Sequence, residues 1–286
     1  MPPAELRERL GSARVLCAGD VVLDYSAQGT ARRGRSAEPV LMVESETWQV
    51  GGAASVLRDL VALGATTTFV SAVGNDNAGR EIERLMAEEK AADIHLLVQP
   101  GRATATRNRF VADGRVLLRA DHDNAAPLGP FVREDLLRLA RELVTSHGAA
   151  IISDHGKGVL TEGVALEIIR AAGDTGAKAV VAAEGGDPIR YRGAHLLTIT
   201  RPELAQATGM PADDPAAATA AARALIDRCA LGGLLVSGPG AAAALVEESG
   251  AVTRVRGFGA RGIAVVAAAL AAGLSLAEAV RLAVLE

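Results

Sequence analysis

Aromatic residues are nearly absent from this chain, with one Trp, two Tyr and four Phe among 286 residues. Base-stacking platforms for single-stranded nucleic acid are built from such rings. A basic face is missing too: the formal charge is −4 and the lysines and arginines form no run. Together these absences exclude nucleic-acid binding, which shows itself as a concentrated positive surface. Cys17 and Cys229 lie in separate apolar runs without metal-ligand spacing. They are expected to be buried thiols in a reducing compartment, the cytoplasm. No secretory leader is expected, because Glu5, Arg7, Glu8 and Arg9 precede only a short apolar strand. The longest apolar run, Ile263 to Leu274, falls short of the roughly 20 residues that span a bilayer and reads as a buried helix, so no membrane partner is expected.

One absence is local. Between Arg254 and Gly273 there is no acidic residue, and no aspartate follows Asp227. The stretch Arg254-Val255-Arg256-Gly257-Phe258-Gly259-Ala260-Arg261-Gly262 reads as a strand end, a glycine-rich turn and the start of an apolar helix. Such a turn aims backbone N–H groups and the positive end of the helix dipole at one point, which makes an anion site. For phosphoryl transfer, this turn offers no carboxylate to take the proton of the acceptor hydroxyl.

What is present is a chain that is 49% hydrophobic and rich in alanine, enough for one large α/β domain or two small ones. Strands are expected at residues 14–20, 39–46, 66–73, 149–153, 179–183, 196–199 and 233–236, with a hairpin near 241–255. Helices are expected over 51–63, 79–90, from 134 onward, 162–175, 214–229 and after 262. The Gly51-Gly52 pair opens the first helix, and Gly64 closes it. Strands alternating with helices predict an α/β fold with a mostly parallel sheet covered on both faces. Residues 104–121 differ, with Thr, Arg, Phe and Val about an Asp113-Gly114 turn. They predict a hairpin that, with residues 29–46, forms a small sheet standing off the main layer. The polar, Gly- and Arg-rich sequence leading to Ser36 carries no strand expectation of its own before residue 29.

The order of these pieces resembles the ribokinase (PfkB) carbohydrate-kinase family, and within it the kinase domain that acts on D-glycero-D-manno-heptose 7-phosphate. Five blocks in order carry the resemblance: Gly19-Asp20-Val21-Val22-Leu23-Asp24, Gly51-Gly52-Ala53-Ala54-Ser55, Thr106-Arg107-Asn108-Arg109 followed by Leu118-Arg119-Ala120-Asp121, Ser153-Asp154-His155-Gly156-Lys157-Gly158, and Arg190-Tyr191-Arg192-Gly193. It implies one ribokinase-like domain over residues 1–286, a three-layer α/β/α sandwich with the small sheet as a lid. It also implies substrate binding by Asp24, Gly51, Gly52, Ser55, Arg107, Arg109, Asp154 and Lys157. The chemistry agrees. Carboxylates at 24 and 154 suit paired hydroxyls, and the cations at 107, 109 and 157 suit a phosphate. Read singly, Asp24 serves equally as a strand-end turn residue, and Arg107 and Arg109 as solvated hairpin residues.

The departures from that family lie on the nucleotide side. Ala260 stands at the position of the catalytic aspartate, so no catalytic residue is assigned. Arg254 replaces an aspartate near the cation-binding region. Gly257, Phe258 and Gly259 form the anion hole, with Phe258 in place of a small alanine. Ala182-Ala183-Glu184 falls where the heptose kinases have D-P-K. Of an N-x-x-E motif only Glu203, the vestigial magnesium-linked residue, remains. Ser237, Gly238 and Gly240 belong to a shortened nucleotide-phosphate loop. The expectation is a sugar- or sugar-phosphate-binding protein with impaired kinase activity. The alternatives are an active divergent kinase using Mg2+ and ATP, or a non-catalytic interaction or regulatory subunit. The expected partners are the sugar ligand, and a second copy docked through the lid or an active paralogue.

Overall fold

The computed structural model describes residues 9–34, 38–161, 163–238, 240, 242–259 and 261–285. Ala260 therefore lies outside the described residues, as do Glu5 to Glu8, Ser36, Glu162 and Ala241. In chain order the strands are β1 (Arg14–Gly19), β2 (Val21–Arg33), β3 (Pro39–Gly52), β4 (Thr66–Gly74), β5 (Ala92–Gln99), β6 (Thr106–Ala112), β7 (Arg115–His122), β8 (Ala149–Asp154), β9 (Lys178–Ala183), β10 (Leu196–Thr200), β11 (Gly233–Ser237), β12 (Ala242–Glu247) and β13 (Val252–Arg256). The helices are α1 (Ala53–Ala62), α2 (Asn77–Met86), α3 (Pro130–Val144), α4 (Val164–Thr175), α5 (Arg201–Thr208), α6 (Pro215–Cys229), α7 (Gly262–Ala271) and α8 (Leu276–Leu282).

The main sheet has nine strands in the order β13-β12-β11-β10-β9-β8-β1-β4-β5. It is parallel from β5 to β11, and β12 and β13 close one edge in antiparallel pairing. Its central strands are apolar throughout because both faces are covered. On one face α1, α7 and α8 pack over Val15, Cys17, Ile151 and Leu235. On the other, α3, α4 and α6 pack over Leu16, Ala150, Ile152 and Leu234. From Gly262 to Leu270 every residue of α7 is buried, so the apolar run is a core helix as expected. Cys17 and Cys229 are free and buried, and burial pushes the Cys17 thiol up to about 12.

The second sheet has four strands in the order β3-β2-β6-β7. Its longest strands start inside the body: Val21 to Asp24 are buried, whereas the far end of β2 and nearly all of β3 are exposed. The lid ribbon is thus longer than the sequence indicates, covering 21–33 and 39–52 rather than 29–46. Two irregularities interrupt its ladders, one between Gln28 and Gly29 and one between Phe110 and Val111. Because Gln28 pairs with Val111, the two lie at the same height and put a crease across the sheet, where bulges increase the local twist.

Candidate active site

The parallel register of β2 on β6 sets Asp24 beside Arg107. Asp24 Oδ1 lies 3.5 Å from Arg107 Nη1, close enough for charge attraction. Yet Asp24 Oδ1 and Arg107 Nε are both buried without a hydrogen-bond partner among the described residues. Leaving a buried polar atom unpaired costs about 1–3 kcal/mol, a cost that a hydroxyl placed between the two removes. The glycine pair makes room for the carboxylate. A Cβ at Gly51 would fall 2.2 Å from Asp24 Oδ2. At Gly52, φ is +65° and a Cβ would fall 2.4 Å from the Asp20 carbonyl oxygen, so only glycine fits the step from β3 into α1.

Cations gather at the same place. Lys157 Nζ pairs with Asp123 at 2.7 Å, and Arg119 Nε donates to Asp121 Oδ1 at 2.9 Å. Asp121 is held below its ordinary range by the Arg119 hydrogen bond first, with Arg107 and Lys157 contributing charge. Glu184 is likewise lowered, chiefly by its hydrogen bond from His155, and then by the charges of His155, Arg107 and Lys157. The charges of Arg107 and Lys157 thus act on both Asp121 and Glu184. Arg109 faces the same way as Arg107, two residues along β6, and pairs in register with Arg119. Ser55 is less involved: it is exposed on α1 and accepts a hydrogen bond from Arg58.

Several residues take roles that differ from the sequence reading. Asp154 is not a free polyol acceptor. Its Oδ2 accepts from Tyr191 Oη at 2.8 Å and Arg190 Nη2 at 3.0 Å, and its Oδ1 from Gly156 N at 2.9 Å. The Arg190-Tyr191 block is therefore the anchor of Asp154, and Asp154 belongs to the scaffold. Asp20, overlooked as a functional position, is wholly buried and accepts from the N–H groups of His155, Lys157 and Val159. It thereby pins the loop that carries Lys157 to the end of β1. Burial raises its pKa, against the lowering effect of those three N–H groups. The sequence also missed the partner of Glu184: His155 Nδ1 lies 2.9 Å from Glu184 Oε1, and its Nε2 lies 3.0 Å from Ser153 Oγ. The reversed charge at position 184 has found a partner within the site.

On the nucleotide side, several of the residues singled out by the sequence are engaged within the fold. Glu203 spends Oε2 on the Thr200 N–H and hydroxyl, in a capping box, and Oε1 on the Gly185 N–H. The Gly238 N–H donates to the Ala242 carbonyl at 2.7 Å, which tightens the turn after Ser237; Gly240 sits in that turn with φ of +65°. Gly257 and Gly259 are exposed, but the ring of Phe258 is laid on the first residue of α7: a Cβ at Gly262 would be 2.6 to 2.8 Å from three of its carbons. The fold implies Mg2+ and ATP, and these residues do not fit them. Among the described residues no group of three or more His, Cys, Asp or Glu could hold a metal ion.

A parallel sheet between helical layers, a β-sheet lid and a carboxylate beneath it beside a glycine pair together define a carbohydrate kinase by fold. The chain belongs to the pfkB family of carbohydrate kinases, whose family model matches residues 12–285. It is similar to the bifunctional protein HldE of Paramagnetospirillum magneticum, with 41% identity over 288 residues, 96% of this chain and 59% of that protein. It is also similar to HldE of Rhodospirillum rubrum, with 39% identity over 292 residues, 98% of this chain and 59% of that protein. The chain thus spans about three fifths of the length of these curated relatives. Among solved structures it resembles the tetrameric inhibited form of Escherichia coli phosphofructokinase-2, with a TM-score of 0.77, 18% identity, and 96% and 92% of the two chains covered. It also resembles Arabidopsis thaliana ribokinase complexed with ribose and ATP, with a TM-score of 0.71, 17% identity, and 96% and 90% covered. At those identities the likeness is one of fold. No helix among the described residues is long and apolar enough to cross a membrane.

Proposed function

We propose that this chain binds a sugar phosphate of the heptose phosphate type beneath its lid and transfers phosphate from ATP poorly or not at all. The observation that carries the binding half is the Asp24–Arg107 pair, whose Oδ1 and Nε are buried and unpaired. A polyol hydroxyl supplies the donor that Asp24 lacks. A phosphate supplies oxygens for Arg107, with Lys157 and Arg109 nearby. The impaired half is supported by Phe258, which covers the helix N-terminus where an anion would meet free N–H groups. It is supported further by Glu203 and the Gly238 N–H, both committed to the fold, and by the alanine at position 260 in the sequence.

The test has two arms on one preparation. Calorimetry with D-glycero-D-manno-heptose 7-phosphate and a panel of sugar phosphates is expected to show binding. A coupled ADP-release assay with Mg-ATP and the same panel is expected to show no turnover above background. Turnover that depends on the sugar and disappears in Asp24→Ala would establish an active kinase instead.

A second reading concerns self-association. The lid exposes Met42 and Val43 on β3, at one edge of its sheet, and Val116 and Leu118 on β7, at the other, each between 44% and 59% accessible. Exposed apolar residues on open-edged strands favour pairing with another chain. The reading is a homodimer through the lid. Val116→Lys combined with Leu118→Lys is expected to convert it to monomer in sedimentation velocity; a wild-type chain already monomeric at tens of micromolar would rule it out.

A further inference from the structure

Lys157 sits on a loop whose backbone is gripped by two buried charges of opposite sign. Asp20 accepts from the N–H groups of His155, Lys157 and Val159. Arg102, only 7% exposed, donates through Nη2 to the Lys157 carbonyl and through Nη1 to the Ala126 carbonyl at 2.9 Å. The guanidinium therefore ties this loop to residues 123–126, which leave the lid after β7. Gly158 permits the approach: its φ is +89°, and a Cβ there would fall 2.1 Å from the Ala126 carbonyl oxygen. Asn124 fastens the same segment to the chain entering β6, donating to the Ala103 carbonyl at 2.9 Å.

With both backbones held, the freedom left lies in two side chains, and they meet. Lys157 Nζ is 2.7 Å from Asp123 Oδ1. The partners are unequal: the Lys157 side chain is 16% exposed and that of Asp123 54%. Asp123 has no other side-chain partner among the described residues. Register places the pair beside the candidate ligand site. Asp24 pairs with Arg107 and Arg107 with Asp121, and Asp123 follows two residues on, roughly 7 Å along an extended chain. A solvated ion pair would have both partners in water. Here the cation is mostly covered, and an ammonium withdrawn from water requires an anion.

We infer that Asp123 stands in for the ligand's phosphate at Lys157 and so determines which ligands the site accepts. The inference rests on the proposed sugar-phosphate site. In the unliganded chain the carboxylate supplies the anion that Lys157 requires. A phosphate group carries up to about two negative charges and repels the carboxylate from the shared ammonium. Asp123, already half in water, swings out at small cost, while Lys157 stays where Asp20 and Arg102 hold its backbone. A sugar without phosphate has nothing to exchange for the carboxylate and gains nothing from Lys157. Asp123 thus makes an anionic ligand obligatory for engaging Lys157. It also lowers the affinity of every phosphorylated ligand by the strength of the pair that the ligand replaces.

The test compares wild type with Asp123→Asn in two readouts. The first needs no ligand. The chain has three lysines, Lys90, Lys157 and Lys178, so amine acylation followed by peptide mass spectrometry reads each separately. Lys157 is expected to react about threefold faster in Asp123→Asn, the scale of a partly exposed ion pair, with Lys90 and Lys178 unchanged. The second readout is calorimetry with D-glycero-D-manno-heptose 7-phosphate. It is expected to bind Asp123→Asn about fivefold more tightly than wild type, the equivalent of about 1 kcal/mol. In a Lys157→Gln background the same exchange should change affinity by less than about twofold. Thermal melts establish that each variant is folded. Unchanged labelling of Lys157 overturns the inference. An equal gain in the Lys157→Gln background also overturns it, because the carboxylate would then act through its general field. Faster labelling with unaltered or weaker sugar-phosphate binding defeats the inference alone. Faster labelling with binding by neither protein defeats the sugar-phosphate site itself, and the inference with it.

Discussion

Arg107→Ala is expected to weaken sugar-phosphate binding by about 10- to 100-fold, the equivalent of one charge-assisted hydrogen bond. It is also expected to destabilise the unliganded protein. Removing the guanidinium leaves Asp24, only 8% exposed, without the cation that lies 3.5 Å from it. A buried carboxylate that loses its partner costs about 1–3 kcal/mol when some solvent can reach it, a drop of several degrees in Tm. The same argument predicts a non-additive double variant. Asp24→Ala with Arg107→Ala leaves nothing charged behind and is expected to melt above Arg107→Ala alone. Calorimetry and thermal melts of the variants check both parts. Unaltered affinity in Arg107→Ala would remove the basis for the proposed ligand site.

Gly262→Ala is the second large effect, and it reports on Phe258. In most first turns of a helix this exchange helps, because alanine outranks glycine by about 1 kcal/mol. Here the new methyl would lie 2.6 to 2.8 Å from ring carbons of Phe258, and overpacking of this kind costs about 1–3 kcal/mol. The net expectation is a loss of stability with Phe258 present. In a Phe258→Ala background the clash disappears, and Gly262→Ala should become neutral or stabilising. Denaturant unfolding of the four proteins gives the coupling directly. Equal destabilisation in both backgrounds would mean that the ring does not rest on the start of α7. The aromatic scarcity of the chain sharpens the experiment, since Phe258, one of only four phenylalanines, packs against a helix terminus at the margin of the core.

Much of the layered body was legible in the sequence, because period and punctuation agreed there. Apolar runs such as 149–153 end at turn residues, and the hairpin at Asp113-Gly114 has the left-handed residues its turn needs, with φ of 50° and 75°. β2 was hidden for a physical reason: its outer half is exposed, so neither alternation nor an apolar run marks it. β5, on the sheet edge and only partly buried, was hidden in the same way. α5 has eight residues and little apolar content, yet its capping box, Thr200 with Glu203, was a signal that could have found it. At the site, residue types were readable and their allegiances were not. Asp24 and Asp154 look alike in sequence, but only the fold shows that Tyr191 and Arg190 have claimed the latter. Asp20 gave no sign of its three backbone partners, which lie more than a hundred residues away.

The crease across the lid has a consequence of its own. Asp24 and Arg107 lie on the body side of it, while Met42, Val43 and Val116 lie beyond. The ribbon is continuous in backbone but split in what governs it. The inner segment is tied to the body and carries the residues of the proposed ligand site, so substitutions there are expected to register in ligand binding. The outer segment touches neither core nor ligand, so its length and sequence can drift until a surface from outside constrains them.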